Sequence, residues 1–273
     1  MIIRNSSEIG STPLRRHAVE ILEAGIEAVL PSNVMPKALL YYPENQTLSV
    51  NGCSYQLDKR IFVIGGGKAG GKMAEAIEQI LPQSILIDGL VIDKSSNFNT
   101  KRIKVIAAGH PIPDSRGEQA VKKMLYLKEK YEIDEYDTVI CLLSGGGSAL
   151  IPYPSDGITL ADKQTVTAKL LCCGAEIGEI NTVRKHLSRV KGGRLGHYFS
   201  PAGVITLIIS DVIGNDLSAI ASGPTYPDAT TFADALFVLE KYDLIDKLLS
   251  NVITLLRNGA EGKIPETPKQ LDN

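Results

Sequence analysis

Two runs in this chain are apolar without a break, Ile61-Phe62-Val63-Ile64 and Val139-Ile140-Cys141-Leu142-Leu143, and a third, Val204 to Ile209, is apolar and β-branched with Thr206 as its one hydroxyl. A strand with one wet face alternates polar and apolar residues, so an unbroken run needs cover on both faces. Ile85 to Ile92 and Ile103 to Ala107 are two further strand candidates. Helical spacing fills the segments between them: Met73, Ala76, Ile77 and Ile80, stopping near Pro82, then 116–131, then two stretches within 161–190 around Gly174 to Gly178. An opening helix over 13–30, with Pro13 near its start, and later helices over 231–242 and 245–257 complete the pattern. Leu39 to Tyr42 and Thr47 to Val50, separated by Pro43-Glu44-Asn45-Gln46, read as a hairpin. Strands buried on both faces and alternating with helices specify an α/β fold: Rossmann-like, doubly wound, a largely parallel sheet with helices on both faces. Residues 1–260 read as one such domain with the small hairpin at 39–50, and 261–273 as a polar tail or linker.

Ligands of such folds bind beyond the C-terminal ends of the strands. The loops at 65–71, 108–114, 144–148 and 210–216 are therefore expected on one rim. Two of them are glycine-rich and each follows a buried strand: Gly65-Gly66-Gly67-Lys68-Ala69-Gly70-Gly71-Lys72 and Ser144-Gly145-Gly146-Gly147-Ser148. A strand running through glycines into a helix aims backbone N–H groups at one spot, and that geometry favours an anion such as phosphate. Two such loops suggest a ligand with several phosphates, or two phosphorylated ligands.

The first loop fits two motifs imperfectly. Gly65, Gly67 and Gly70 match G-x-G-x-x-G, with Asp88 and Asp93 roughly where a ribose-binding acid would sit. Gly66, Gly71 and Lys72 match G-x-x-x-x-G-K, but Met73 stands where Ser or Thr would hold Mg²⁺. A tight turn without a ligand is the alternative. Lys68 among these glycines suits phosphoryl chemistry, with a solvated lysine as the alternative. The second loop lacks the G-x-S-x-G pattern, so Ser144 and Ser148 are not expected as nucleophiles and read as phosphate or sugar contacts, with a purely structural turn as the alternative.

His110, in the rigid His110-Pro111-Ile112-Pro113-Asp114 segment, is either a ligand contact or a hydrogen-bonded structural histidine. Arg184, Lys185 and Lys191 gather cations beside Gly192-Gly193, as an anion clamp or as a charged helix surface. Asp211 directly follows a buried strand, where a carboxylate can hold Mg²⁺ or accept a hydroxyl proton. Asp216 is the second carboxylate of this segment, with a helix N-cap by Asn215 or Asp216 as the alternative reading.

Composition removes several classes. A net charge of −2 and the absence of Trp argue against nucleic acid and an anionic membrane surface. No run of about 18 apolar residues exists to span a membrane. The segment Met1-Ile2-Ile3-Arg4-Asn5-Ser6 does not read as a signal peptide. Cys53, Cys141, Cys172 and Cys173 fit neither a zinc site nor a disulfide framework, so buried or partly buried thiols in a cytoplasmic protein are expected.

Taken in order, the segments resemble one family. They are Gly65-Gly66-Gly67-Lys68-Ala69, Gly109-His110-Pro111-x-Pro113-Asp114, and Leu143-Ser144-Gly145-Gly146-Gly147-Ser148-Ala149-Leu150. Asn181-x-Val183-Arg184-Lys185-His186-Leu187-Ser188-x-x-Lys191-Gly192-Gly193, Ser210-Asp211-Val212 and Ala221-Ser222-Gly223-Pro224-Thr225 continue the series. The chain resembles the glycerate 2-kinase family, whose C-terminal part is called the MOFRL domain. The resemblance covers most of residues 13–260. It implies ATP- and Mg²⁺-dependent phosphorylation of D-glycerate to 2-phosphoglycerate in a cleft between two domains, with Lys68 catalytic. On this reading residues 1–260 are the N-terminal glycerate kinase domain, and the C-terminal MOFRL domain is expected in cis or in trans. The rivals are a dinucleotide-dependent oxidoreductase of small hydroxy acids and a non-catalytic phosphometabolite-binding domain.

Overall fold

The computed structural model describes residues 2–57 and 60–271. Met1, Asp58, Lys59 and the last two residues of the expected tail, Asp272 and Asn273, lie outside the described residues. A short helix α1 (Ser6–Ile9) leads into α2 (Pro13–Ala28) and α3 (Pro31–Ala38). Three short strands follow, β1 (Leu39–Tyr42), β2 (Thr47–Val50) and β3 (Cys53–Gln56). The main fold then runs β4 (Arg60–Gly66), α4 (Gly70–Ile80), β5 (Leu86–Asp93), β6 (Ile103–Ala107), α5 (Ser115–Tyr131) and β7 (Asp137–Ser144). It continues through α6 (Gly147–Leu150), α7 (Leu160–Cys172), α8 (Ile177–His186), α9 (Arg194–Phe199), β8 (Gly203–Ile209), α10 (Phe232–Lys241) and α11 (Ser250–Ala260).

The main sheet has the order β6-β5-β4-β7-β8, every pair parallel. Its unbroken apolar runs are divided between two cores by the two-residue period of a strand. Phe62, Ile64, Val139, Cys141 and Leu143 face one core with Val121 and Met124 of α5 and Phe199 of α9. Ile61, Val63, Ile140 and Leu142 face the other with Met73 and Ile77 of α4, Met35 of α3 and Leu48 of β2. Each fully buried side chain of this size contributes about 1.5–3 kcal/mol. This is the expected doubly wound sheet. A third apolar cluster is additional: α7, α8, α10 and α11 pack on each other through Val166, Leu170, Val183, Phe232, Leu239 and Leu256.

The expected hairpin is a three-stranded antiparallel sheet, because β3 pairs with β2. The turn between them is Asn51-Gly52, both with positive φ (49° and 85°), as a two-residue hairpin of the favoured twist requires. The segment after α11 is tied down rather than free. Asp228 donates its N–H to Pro268 O (2.9 Å), Phe232 N–H donates to Glu266 Oε2 (2.8 Å), and Thr267 is buried. The cysteines need a correction: Cys141 is buried, but Cys53, Cys172 and Cys173 are exposed. Burial pushes the Cys141 thiol up to about 12.

The strand order reverses direction between β4 and β7, and this switch point is where the two glycine loops emerge side by side. The approach is close. A Cβ on Gly65 (φ 130°) would lie 2.0 Å from Leu142 O, and one on Gly67 (φ 148°) would lie 2.1 Å from Ser144 Oγ. Gly65→Ala is therefore expected to cost at least about 2 kcal/mol, a fall of roughly 4–8 °C in Tm. Gly25→Ala in α2, where the added methyl meets nothing within 4 Å, should be neutral or stabilising by up to about 1 kcal/mol. Thermal unfolding of the two variants checks the contrast.

Candidate active site

The two glycine loops differ in what their amides do. In the first loop Gly67 N–H donates to Ile92 O (3.0 Å), Lys68 N–H to Gly145 O (2.8 Å) and Gly70 N–H to Gly67 O (3.0 Å). Ala69 N–H donates to Ser144 Oγ (3.0 Å) and Gly71 N–H to Asp93 Oδ2 (3.0 Å). Every amide from Gly67 to Gly71 is engaged inside the protein. The anion cradle expected of the first loop therefore has no free donors, and Gly65, Gly66 and Gly67 serve to let β4 approach its neighbours. A Cβ on Gly71 would also strike the Phe98 ring at 2.3 Å, so the first turn of α4 is covered.

In the second loop, no hydrogen bond is formed by the amides of Gly146, Gly147 or Ser148 among the described residues. Gly146 adopts the left-handed conformation (φ 83°) that turns the chain from β7 into α6. Three side chains surround this loop. Lys68 reaches it from the first loop, its Cγ 3.1 Å from the position a Cβ on Gly146 would take, and His110 Nε2 is 2.8 Å from the same point. Asp211, just past β8, lies against Gly145, with Oδ2 2.1 Å from that glycine's Cβ position. Lys68 Nζ and Asp211 Oδ2 are 3.4 Å apart, both side chains substantially exposed. The fold thus brings together Lys68, His110, Asp211, Gly145, Gly146, Gly147 and Ser148, drawn from four loops spread over the sequence.

Ser144 and Ser148 have separate surroundings. Ser144 is buried and accepts from Ala69 N–H, clamping the two loops together. Ser148 Oγ lies 2.7 Å from Ser222 Oγ, and Ser222 Oγ donates to Asn181 Oδ1 (3.0 Å). Ala221 and Ser222 both hold left-handed φ (52° and 62°), strain of about 1–3 kcal/mol for each such residue.

The cationic segment divides. Lys185 is buried and paired with Asp228 (Nζ–Oδ1 3.1 Å), away from solvent. Lys191 is buried and donates to Ala221 O (3.2 Å). Arg184 stays partly exposed and bonds Thr167 Oγ1 through Nε (3.4 Å). The segment is largely an interior, so of its two readings the charged helix surface does not hold, and Lys185, paired with Asp228, is not free to clamp an anion. Burial pushes Arg184 down, and burial with the charges of Lys163 and Arg184 pushes Lys191 well down. Asp216 accepts from Ser218 N–H (2.9 Å), capping a turn rather than a long helix.

Neither acid expected at a ribose fits that task. Asp88 lies within β5 and accepts from Lys130 Nζ (3.0 Å) and Tyr131 OH (2.8 Å). Asp93 is buried under α4 and accepts from Gly71 and Ser95 N–H. Asn181 and Ser222 lie in the motifs quoted above but carried no expected role there, and Lys163 lies outside every motif. The signal for Lys163 was its register, three before Val166 and seven before Leu170 on the buried face of α7.

A family described as a domain of unknown function, DUF4147, matches residues 17–257. The chain belongs to the DUF4147 family. It is 41% identical over 258 residues to a glycerate 2-kinase of Pyrococcus horikoshii, covering 94% of this chain and 57% of that protein. The crystal structure of a glycerate kinase from Thermotoga maritima superposes with a TM-score of 0.76 at 38% identity, covering 96% of this chain and 57% of that one. A putative hydroxypyruvate reductase of Agrobacterium vitis is 43% identical over 186 residues, covering 68% of this chain and 42% of that protein. This DUF4147 chain therefore spans about half the length of the relatives it matches, 57% of the Pyrococcus and Thermotoga proteins and 42% of the Agrobacterium one. The resemblance carried by its motifs agrees with these likenesses. No helix among the described residues is long and apolar enough to cross a membrane.

Ser144→Ala leaves the Ala69 amide without its acceptor in a half-buried contact and should cost about 1–3 kcal/mol. Asp211→Asn, at an exposed side chain, should stay within about 0.5 kcal/mol of the parent. Chemical denaturation with an unchanged slope is the check.

Proposed function

We propose that this chain is the nucleotide- and substrate-binding part of a glycerate 2-kinase, transferring the γ-phosphoryl group of ATP to the 2-hydroxyl of D-glycerate. The observation that carries the reading is the meeting of three unengaged amides, Gly146 to Ser148, with Lys68 and Asp211 at the switch point of the sheet. Phosphoryl transfer needs little covalent help from a protein. It needs positioning and charge compensation. Likeness to the Pyrococcus and Thermotoga enzymes supports the same choice.

In this reading the Gly146, Gly147 and Ser148 amides donate to phosphate oxygens, and Lys68 places its ammonium on the transferred group. The hydroxyl oxygen of glycerate forms a bond to the γ-phosphorus as the bond from that phosphorus to the β–γ bridging oxygen breaks. ADP leaves, and the hydroxyl proton passes to Asp211 or to water. An exposed carboxylate beside a phosphate loop is the donor set Mg²⁺ takes in kinases, one acid oxygen plus phosphate oxygens; Asp211 fits, and bound Mg²⁺ would offset phosphate charge. His110 is assigned to the acceptor side. Gly65, Gly66, Gly67, Ser144 and Gly145 shape the cleft. The remaining length found in the relatives is assigned the opposite wall, in cis or in trans. ATP as donor suits the cytoplasmic location expected from the sequence.

The likeness to a putative hydroxypyruvate reductase favours a second reading, a reductase using a nicotinamide dinucleotide. A dinucleotide needs the helix N-terminus after the first glycine loop. Here Asp93 and Phe98 occupy that place.

Formation of 2-phosphoglycerate from D-glycerate and ATP, measured on the chain alone and joined to the remaining region of the Pyrococcus relative, separates the two. NADH oxidation by hydroxypyruvate without any kinase activity would overturn the proposal. In the active form, Lys68→Ala should lower turnover at least about a hundredfold. Turnover equal to the parent would remove Lys68 from the mechanism.

A further inference from the structure

Lys163 is a buried cation without a partner among the described residues. Its side chain enters from the packed face of α7 beside Val166 and Leu170, the residue is only 8% exposed, and Nζ makes no hydrogen bond. Leaving an ammonium in that condition is costly, because burial removes its hydration and nothing replaces it. The charges acting on it are positive as well: Arg184 on α8 and Arg194 on α9. Lys191, itself buried, lies within the field of both Lys163 and Arg184. Arg194 is otherwise engaged, donating to the carbonyls of Lys185 and Ser188. Arg184 and Lys191 hold only neutral oxygens, Thr167 Oγ1 and Ala221 O. Three cations therefore share one interior region with no carboxylate bonded to any of them among the described residues.

The region adjoins the proposed phosphoryl site. Gln164, next to Lys163, donates to Pro113 O (2.7 Å) in the loop that carries His110. Lys191 holds the carbonyl of Ala221, whose Cβ is 2.7 Å from the Cβ position of Gly147. Asn181, one helical turn before Arg184, joins Ser222 and Ser148 in a hydrogen-bonded chain that ends on the second glycine loop. Partly exposed Arg184 gives the region a way to solvent, and its planar fork matches a carboxylate bidentately.

We propose that Lys163, Arg184 and Lys191 form the pocket that takes the carboxylate of the hydroxy-acid substrate, with Lys163 as its innermost contact. The inference rests on the kinase reading, which gives the phosphates to the second loop and leaves the acceptor's carboxylate to be matched. Such a pocket orients the acid so that its hydroxyl, not its carboxylate, is turned to Lys68 and Asp211.

Burial and the two guanidinium groups push Lys163 down to about 7, against 10.5 ordinarily. A carboxylate is held by the protonated form. Its affinity should therefore weaken about tenfold for each pH unit above 7, until the pKa of the occupied pocket is reached. The penalty on the fold has the matching sign. Between about 7 and 10.5 the unfolded chain keeps a proton that the folded chain releases, so the burden is full below pH 7 and relieved as pH rises.

The experiment is calorimetric titration of this chain and of Lys163→Met with D-glycerate, inorganic phosphate and MgATP, at pH 6.5 and pH 8.5, alongside thermal unfolding without ligand. Methionine keeps length and apolar bulk while removing the charge. The expected result is at least a tenfold loss of D-glycerate affinity at pH 6.5 in Lys163→Met, with its unliganded Tm at pH 6.5 equal to or above the parent's. MgATP affinity should be unchanged. In the parent alone, D-glycerate affinity should fall at least tenfold from pH 6.5 to 8.5, a test that stands even if the variant folds poorly. D-glycerate binding equal in both proteins, or flat with pH in the parent, overturns the pocket and leaves the kinase reading intact. Loss confined to phosphate or MgATP also overturns it, making the pocket a nucleotide site. Absence of D-glycerate binding in both proteins overturns the pocket and the glycerate reading together.

Discussion

The close contact of β4 with β7 at their C-terminal ends is the constraint on which the site depends. Only glycine at 65 and 67 allows it, since a Cβ at either position would overlap Leu142 O or Ser144 Oγ. The contact makes the two loops interlock: Lys68 N–H reaches Gly145 O and Ala69 N–H reaches Ser144 Oγ. This interlock consumes the first loop's donors and braces the second loop from behind, leaving the Gly146, Gly147 and Ser148 amides unengaged. Lys68 is carried across the switch point by the same geometry. Two similar-looking glycine loops thus divide the work, one as scaffold and one as a ring of donors.

Charge is arranged around that ring in two zones. Lys68 and Asp211 are exposed and mutually adjustable, as groups that meet a ligand must be. Deeper in, Lys163 and Lys191 are buried with Arg184 partly exposed beside them. Lys185, adjacent in sequence to Arg184, belongs to neither zone because Asp228 neutralises it inside the helical cluster. Consecutive cations on one helix therefore have opposite fates. The left-handed Ala221-Ser222 pair links the zones, giving one carbonyl to Lys191 and one hydroxyl to Ser148.

The parallel sheet was legible in the sequence because burial on both faces leaves unbroken apolar runs, and β4, β7 and β8 follow those runs closely. Helix α3 was not legible, since Pro31, Asn33 and Pro36 are poor helix formers; Pro31 sits at its first turn, and Met35 is held by the apolar core. Strand β3 is short, polar and exposed, although Asn51-Gly52 before it was a hairpin signal. Lys68, His110 and Asp211 could be placed on a rim because each follows a strand. Which amides were free could not be read, because that depends on hydrogen bonds between segments about 75 residues apart, as in Ala69 to Ser144. The role of Lys163 is illegible for the same reason: it lies in the lack of a counter-charge among the described residues, a property of packing.

Locating the phosphates of a bound nucleotide tests the account most directly. A crystal structure of this chain with Mg²⁺ and a non-hydrolysable ATP analogue should place phosphate oxygens about 2.7–3.2 Å from the Gly146, Gly147 and Ser148 nitrogens, with Lys68 Nζ turned toward them. Phosphates seated instead on the first turn of α4, with Asp93 and Phe98 displaced, would contradict the division of labour between the two loops.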